Sequence, residues 1–507
     1  MALAVAYSRA RFGIAAPPVT VEVHLANGLP SFSIVGLPEA AVRESKDRVR
    51  AAMLRSEFNF PARRVTINLA PADLPKEGSR FDLAIALGVL AASGQIPADR
   101  LAEHECIGEL ALSGELRPVT GVLPTALHNR GSGRRLIVPF YNQSEAALLG
   151  SANTLAAQHL LDVCLHLRGE RELPVCALPA NGGTTTSITT PDLRDVMGQT
   201  HAKRALEIAA AGGHNLLMIG PPGTGKTMLA SRLPGIMPPM TDNEALESAA
   251  LLSVARNGFD VSMWKQRPFR SPHHTASAVA LVGGSSDPRP GEISLAHNGI
   301  LFLDELPEFS RSVLEVLREP IESGRVVISR AARQAEFPAR FQLIAAMNPC
   351  PCGYLGDRDG RCRCNEQQVE RYRARLSGPL LDRIDMHIEV PRPRENILAN
   401  TSRQALPESS AEVQQRVISA RQRQLARCGK PNQLLNDADI REHCKINDET
   451  AARLNHAMDR LGLSLRAAQR LLKVARTVAD LADDTYIRTS HLMEALSYRR
   501  LDRAATP

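Results

Sequence analysis

The sequence predicts an α/β multidomain protein: a phosphate-binding α/β core between a mixed α+β N-terminal region and a helical C-terminal region. Three observations carry this. The octapeptide Gly220-Pro-Pro-Gly-Thr-Gly-Lys-Thr227 satisfies G-x-x-x-x-G-K-[ST], between an apolar run at 215–219 and helix-forming residues at 228–233. A stretch without charge, rich in Gly, Pro and Thr, separates it from what precedes at 178–191. Beyond about residue 391 the chain carries apolar stripes at helical spacing, among them Leu461, Leu465, Ala468, Leu471, Leu472 and Ala475. The expected units are 1–175, a linker at 176–191, a core at 192–391 and a helical domain at 392–507.

Taken in order, residues 19–25 and 64–69 alternate at strand period, and 39–54 and 82–92 carry helical patterns. In the core, apolar runs at 215–219, 300–303, 341–347 and 386–390 read as buried strands with helices between them. At 507 residues the chain exceeds a single hydrophobic core, and 44% hydrophobic with 23% charged residues is ordinary for a globular protein. No window approaches the roughly 20 apolar residues of a membrane span. Residues 1–10 lack the basic-then-apolar plan of a signal peptide, and nine cysteines without a regular framework suggest reduced thiols. These features speak against membrane-embedded and disulfide-stapled secreted classes, and the expected location is cytoplasmic. The net charge is +7, and residues 391–507 hold 20 Lys+Arg against 14 Asp+Glu. That balance suits a polyanion such as DNA or RNA, and equally a solvated helical face.

The octapeptide's glycines let backbone N–H groups wrap a β-phosphate at the positive end of the following helix. The nucleotide-binding candidates are Gly220, Pro221, Pro222, Gly223, Thr224, Gly225, Lys226, Thr227 and Met228. Lys226 can reach the β/γ-phosphates and the Thr227 hydroxyl can ligate Mg²⁺. About 80 residues on, an apolar run ends in Asp304-Glu305. A neighbouring buried strand would set Asp304 beside the Mg²⁺ and Glu305 where it polarises the attacking water. The run at 341–347 ends in Asn348, placed to orient that water or to touch the γ-phosphate. ATP and Mg²⁺ are the cofactors so implied.

Just beyond, Cys350, Cys352, Cys362 and Cys364 set four thiols within 15 residues. Tetrahedral Zn²⁺ suits such a set, as a structural site stapling a costly loop. C-x-C is tighter than the usual zinc-ribbon spacing, so a reduced cluster without metal stays open.

The assembled motifs resemble the AAA+ superfamily, in the branch holding the magnesium-chelatase ATPase subunit and the MCM helicases. Phe269-Arg-Ser-Pro-His-His274, Pro290-Gly-Glu-Ile-Ser-Leu-Ala-His-Asn-Gly299, Asp304-Glu-Leu-Pro-Glu-Phe309 and Asn348-Pro-Cys-Pro-Cys-Gly353 are similar to the magnesium-chelatase-like YifB/ComM subfamily. The resemblance implies an AAA+ P-loop core with a helix-2 insertion at 282–293 and a pre-sensor-1 β-hairpin at 325–337. It implies an arginine finger at Arg383, supplied to a neighbouring subunit, and a second sensor arginine at Arg466 in a C-terminal lid. Trans action implies a ring, with a homo-hexamer as the family expectation. In related rings the two insertions face the channel, where Arg289, Arg330 and Arg333 would meet phosphates of DNA in a salt-sensitive way. Surface arginines without a ligand are the plain alternative.

Pro71-Ala-Asp-Leu-Pro-Lys-Glu-Gly78-Ser-Arg-Phe-Asp-Leu-Ala-Ile-Ala86 and 108–121 resemble a Lon-protease-like (ribosomal S5-like) α+β domain. Its serine position falls near Arg80 and its lysine position at Leu123, while Ser79 and Lys76 stand nearby but outside the matching slots. A domain without the Ser-Lys peptidase dyad is therefore expected. The functional expectation is a hexameric ATP-dependent DNA motor that drives branch migration of recombination intermediates in natural transformation. The alternatives are an ATPase of a metal-chelatase-like complex, an ATP-dependent protease and a non-catalytic scaffold. The absent dyad argues against the protease, the complete ATPase set against the scaffold.

Overall fold

The computed structural model describes residues 2–178, 191–255, 258–284, 288–330, 333–356, 360–392 and 407–499. Among these residues the N-terminal unit is built on a seven-stranded mixed sheet. The order from one edge is Ser31–Val35, Arg64–Ala70, Pro18–Ala26, Ala2–Arg9, His104–Cys106, Arg135–Pro139, Thr154–Ala157. Pro18–Ala26 is antiparallel to both of its neighbours, the edge strand Ser31–Val35 runs parallel to Arg64–Ala70, and from Ala2–Arg9 to the far edge the strands run parallel. Val19, Val21, Val23 and Leu25 alternate into the core as their period demands. Helix Asp82–Ala92 lies on them, buried all round. Gly88 permits that approach: a Cβ there would stand 2.6 Å from Val23 Cγ2.

The helix expected over 39–54 is two pieces, Ala40–Arg43 and Ser45–Arg55. Arg48, drawn toward the buried Asp82 carboxylate at 2.7 Å, takes the Ala41 carbonyl at 3.0 Å. A continuous helix would offer that carbonyl to the Ser45 N–H. The first unit also runs further than expected. Cys176 is buried and donates its N–H to Thr154 O at 2.8 Å, so the linker begins after it rather than at 176. Residues 179–190 lie outside the described set.

The core sheet has five parallel strands, in the order Phe269–Arg270, Ile300–Leu303, Gln342–Met347, Leu216–Ile219, Met386–Glu389. The three central strands are buried on both faces, which explains their continuous apolar sequence. Helices Thr200–Gly212 and Lys226–Ile236 pack on one face together with the C-terminal helices Ser410–Cys428 and Leu465–Leu481. Arg421, partly buried, bonds Ala211 O at 2.9 Å and Ala210 O at 3.1 Å, closing the C-terminal end of Thr200–Gly212. In the stripe expected on the last long helix, Ala468, Leu471 and Ala475 are buried, but Leu465 is 71% exposed. It is the first residue after the Ser464 N-cap, outside the contact face.

The two larger units pack directly on one another. Val122, Leu123 and Ala126 of helix Val122–Asn129 meet Ala249 and Ala250 of helix Asp242–Val254. The Gly121 N–H donates to Ser253 O at 3.0 Å across the same seam.

Candidate nucleotide site

Gly220 leaves strand Leu216–Ile219 with its N–H bonded to Met347 O at 3.2 Å, so the loop starts beside the central strand that leads to Asn348. Gly223 and Gly225 adopt positive φ (+75° and +83°), bending the chain into helix Lys226–Ile236. Gln199 Nε2 donates to Thr224 O at 2.7 Å and braces the loop from outside. Pro221, Pro222 and Met228 line its rim, Met228 being 44% exposed.

The Lys226 ammonium donates to Gly220 O (2.7 Å), Pro221 O (3.0 Å) and Asn348 Oδ1 (3.2 Å). Burial lowers its pKa, while Asp304 and Glu305 act in the opposite sense. Thr227 Oγ1 donates to Asp304 Oδ2 at 2.7 Å. A hydroxyl and a carboxylate oxygen side by side, at the mouth of a phosphate-shaped loop, are the oxygen donors Mg²⁺ takes with a triphosphate. There Mg²⁺ would neutralise charge on the β/γ-phosphates. The structure thus brings Lys226, Thr227, Asp304, Glu305 and Asn348 to one place from three neighbouring strands.

Glu305 sits at φ +53°, a costly conformation for a residue with a Cβ, and its carboxylate turns toward His274 Nδ1 at 3.4 Å. His274 follows the edge strand Phe269–Arg270. Sequence reasoning quoted it within a motif but gave it no role, because nothing in local spacing joins positions 274 and 305. Tyr372, buried on helix Glu366–Arg373, was missed as well, and burial pushes its pKa up to about 12.

Arg383 does not join the cluster. Met386 pairs with Leu216 at the start of the neighbouring P-loop strand, so Arg383 lies before these two parallel strands and Lys226 beyond their C-terminal ends. There Arg383 Nη2 meets Glu322 Oε1 at 2.9 Å and Nη1 donates to Pro379 O at 2.6 Å. It lines a cleft of about 470 Å³ with Glu315, Arg318, Glu319, Glu322 and Ser323. Arg466 is exposed on the first turn of helix Leu465–Leu481. Arg289 lines a cleft of about 450 Å³ shared with Glu77, Ser79, Arg80 and Glu109 of the N-terminal unit. Arg330 and Arg333 face each other across the tip of hairpin Arg325–Arg330/Arg333–Pro338; their side chains lie outside the described set, as do residues 285–287 of the other insertion.

Arg80 and Leu123 are both buried, and Arg80 Nη2 donates to Thr125 Oγ1 at 2.9 Å. Lys76 is also buried, its Nζ donating to Pro71 O, while Ser79 Oγ donates to Glu109. No lysine thus faces a serine in this corner.

Cys350, Cys352, Cys362 and Cys364 gather with all four sulfurs within 4.8 Å of one another.

Comparison with known proteins agrees with this geometry. The family described as magnesium chelatase, subunit ChlI, matches residues 192–398, with related families matching 21–142 (subunit ChlI of Mg-chelatase) and 407–499 (the ChlI C-terminal part). Competence protein ComM of Haemophilus influenzae is 54% identical over 99% of this chain and 98% of its own length. The chain belongs to the YifB/ComM family of magnesium-chelatase-like AAA+ proteins. The YifB protein of Escherichia coli is 52% identical over 99% of the chain and 98% of its own length. The magnesium-chelatase 38 kDa subunit of Acidiphilium rubrum is 26% identical over 59% of the chain and 86% of its own length. Among the described residues no helix is long and apolar enough to cross a membrane.

Proposed function

We propose that this YifB/ComM protein hydrolyses ATP and uses it to move DNA, as a homo-hexameric helicase driving branch migration of recombination intermediates in the cytoplasm. The carrying observation is the split between the two halves of the site. Lys226, Thr227, Asp304, Glu305 and Asn348 converge at the C-terminal end of the parallel strands, while Arg383 stands at the opposite end. A ring in which Arg383 of one subunit reaches the P-loop of the next completes the site, with Arg466 as a second sensor from the lid. Asp304 and Thr227 hold Mg²⁺, Glu305 polarises water, and Asn348 orients it.

The load is DNA. The basic C-terminal domain and the insertions bearing Arg289, Arg330 and Arg333 support a sequence-independent grip on phosphates. The likeness to a competence protein supports integration of DNA during natural transformation as the setting. The N-terminal unit serves as a Lon-like domain without peptidase chemistry, in ring assembly or DNA contact. The second reading, an ATPase within a metal-chelatase-like remodelling complex, draws on the Acidiphilium likeness, which extends over only 59% of the chain.

The test is the ATPase rate with and without DNA, followed by strand displacement on forked and branched substrates. DNA should stimulate turnover and Lys226→Ala should abolish ATP-driven unwinding. A rate indifferent to DNA across low salt concentrations overturns the motor reading in favour of the second.

A further inference from the structure

The four cysteines are set against the nucleotide site, and two contacts tie them there. Cys350 follows Asn348 by two residues and is fully buried. Directly after Cys352, Gly353 turns at φ +84°, its N–H bonded to Cys350 O at 2.9 Å. A Cβ at Gly353 would stand 2.7 Å from Pro222 Cδ and 3.9 Å from Asn348 Cγ, so this turn rests on the P-loop itself. The next residue, Tyr354, holds Arg392 over its ring at 5.4 Å. Arg392 lies two residues beyond Val390, which donates its N–H to Ile219 O at the base of the P-loop. The cysteine loop therefore touches the loop through Pro222 and the strand end beside it through Tyr354.

The sulfurs are arranged for a metal. Cys350 and Cys352 are 3.4 Å apart, Cys352 and Cys362 3.7 Å, Cys350 and Cys362 3.8 Å. Four sulfurs at about 2.3 Å around a tetrahedral Zn²⁺ stand about 3.8 Å from one another. A disulfide needs about 2.05 Å.

We propose that Cys350, Cys352, Cys362 and Cys364 bind one structural Zn²⁺, and that this knot is the buttress that holds Pro222 and Asn348 in position for nucleotide. The proposal rests on the nucleotide-site reading and is independent of DNA as the load. Without the metal, the segment from Cys350 to Tyr354 loses its anchor to Cys362 and Cys364. Asn348 and the P-loop rim then lose the surface they lean on.

The full-length protein, purified without chelator, should contain one zinc per chain by elemental analysis. Stripping with a zinc-selective chelator should weaken binding of a fluorescent ATP analogue about ten- to a hundredfold, the scale on which small misplacements of positioning groups act. Adding Zn²⁺ back should restore binding. The double variant Cys362→Ser/Cys364→Ser should lose the zinc and show the same weakening. Should that variant fail to fold, the stripping and reloading cycle on the wild-type protein decides. Protein without zinc, disulfides among these cysteines in mass spectra, or metal removal that leaves nucleotide affinity unchanged would each overturn the proposal. None of these readouts involves DNA, so failure here and failure of the motor reading are separable.

Discussion

At Glu305 the chain accepts a left-handed backbone at a residue with a side chain, and the carboxylate meets His274. Such strain persists where the surroundings over-determine it, and here it sets the proposed base next to Asp304. Glu305→Gln keeps shape and removes the base. It is expected to retain nucleotide affinity while ATP turnover falls about 10²–10⁴-fold. Single-turnover hydrolysis at saturating ATP measures this, and an unchanged rate would place the base elsewhere. His274 is a positioning residue for that carboxylate: His274→Ala should lower turnover and leave ATP affinity near wild type, because it touches neither Lys226 nor the loop.

Between elements, burial fixes protonation. His104 on strand His104–Cys106 and His166 on helix Leu160–Arg168 meet through their Nε2 atoms at 3.2 Å in the N-terminal core. His104 Nδ1 donates to Arg100 O at 2.8 Å, and His166 Nδ1 accepts from Leu173 N at 3.2 Å. One arrangement of protons satisfies all three bonds: His166 Nε2–H donates to a neutral His104. A further proton would set two N–H groups face to face. Burial lowers both pKa values, that of His166 to about 4 with the neighbouring His104 adding to the effect. Folded values below the unfolded one mean the stabilisation is complete above pH about 6.5 and is lost as pH falls toward 4, since the unfolded chain takes the protons first. On the order of 1–3 kcal/mol should disappear over that window. Urea unfolding at pH 7 and pH 5 should show the loss in wild type and a flatter response in His104→Leu/His166→Leu; parallel responses would remove the pair as the cause.

For the whole molecule, the separation of Arg383 from Lys226 at opposite ends of adjacent parallel strands makes a prediction about assembly. Arg383→Ala and Lys226→Ala should each lose turnover, the arginine contributing about 10³-fold or more. Mixed together they should regain activity, because some interfaces then pair an intact P-loop with an intact arginine. A mixture no more active than its components would exclude trans action. In the single chain Arg383 is held by Glu322 at 2.9 Å, so forming the composite site means exchanging that carboxylate for phosphate.

The P-loop, Asp304-Glu305 and Asn348 were legible in the sequence because each joins a contiguous apolar strand to a polar terminus, a local pattern with one chemical use. The hairpin at 325–338 and the helix at 82–92 were legible for the same reason: period and turn residues are local properties. What depended on contacts distant in sequence was hidden. Arg48 breaking a helix through Asp82, Cys176 joining the first sheet, and His274 facing Glu305 all rest on partners 22 to 34 positions away. The sequence by itself determined the residue patterns: a glycine-rich loop ending in Lys226-Thr227, the acidic pair Asp304-Glu305 and a four-thiol cluster. The tertiary structure alone decided the geometry, in which the thiol cluster leans on Pro222 and Arg383 stands at the far end of the strands from its own loop. Residue type dictates what a group can do, but sheet order and packing dictate which groups meet.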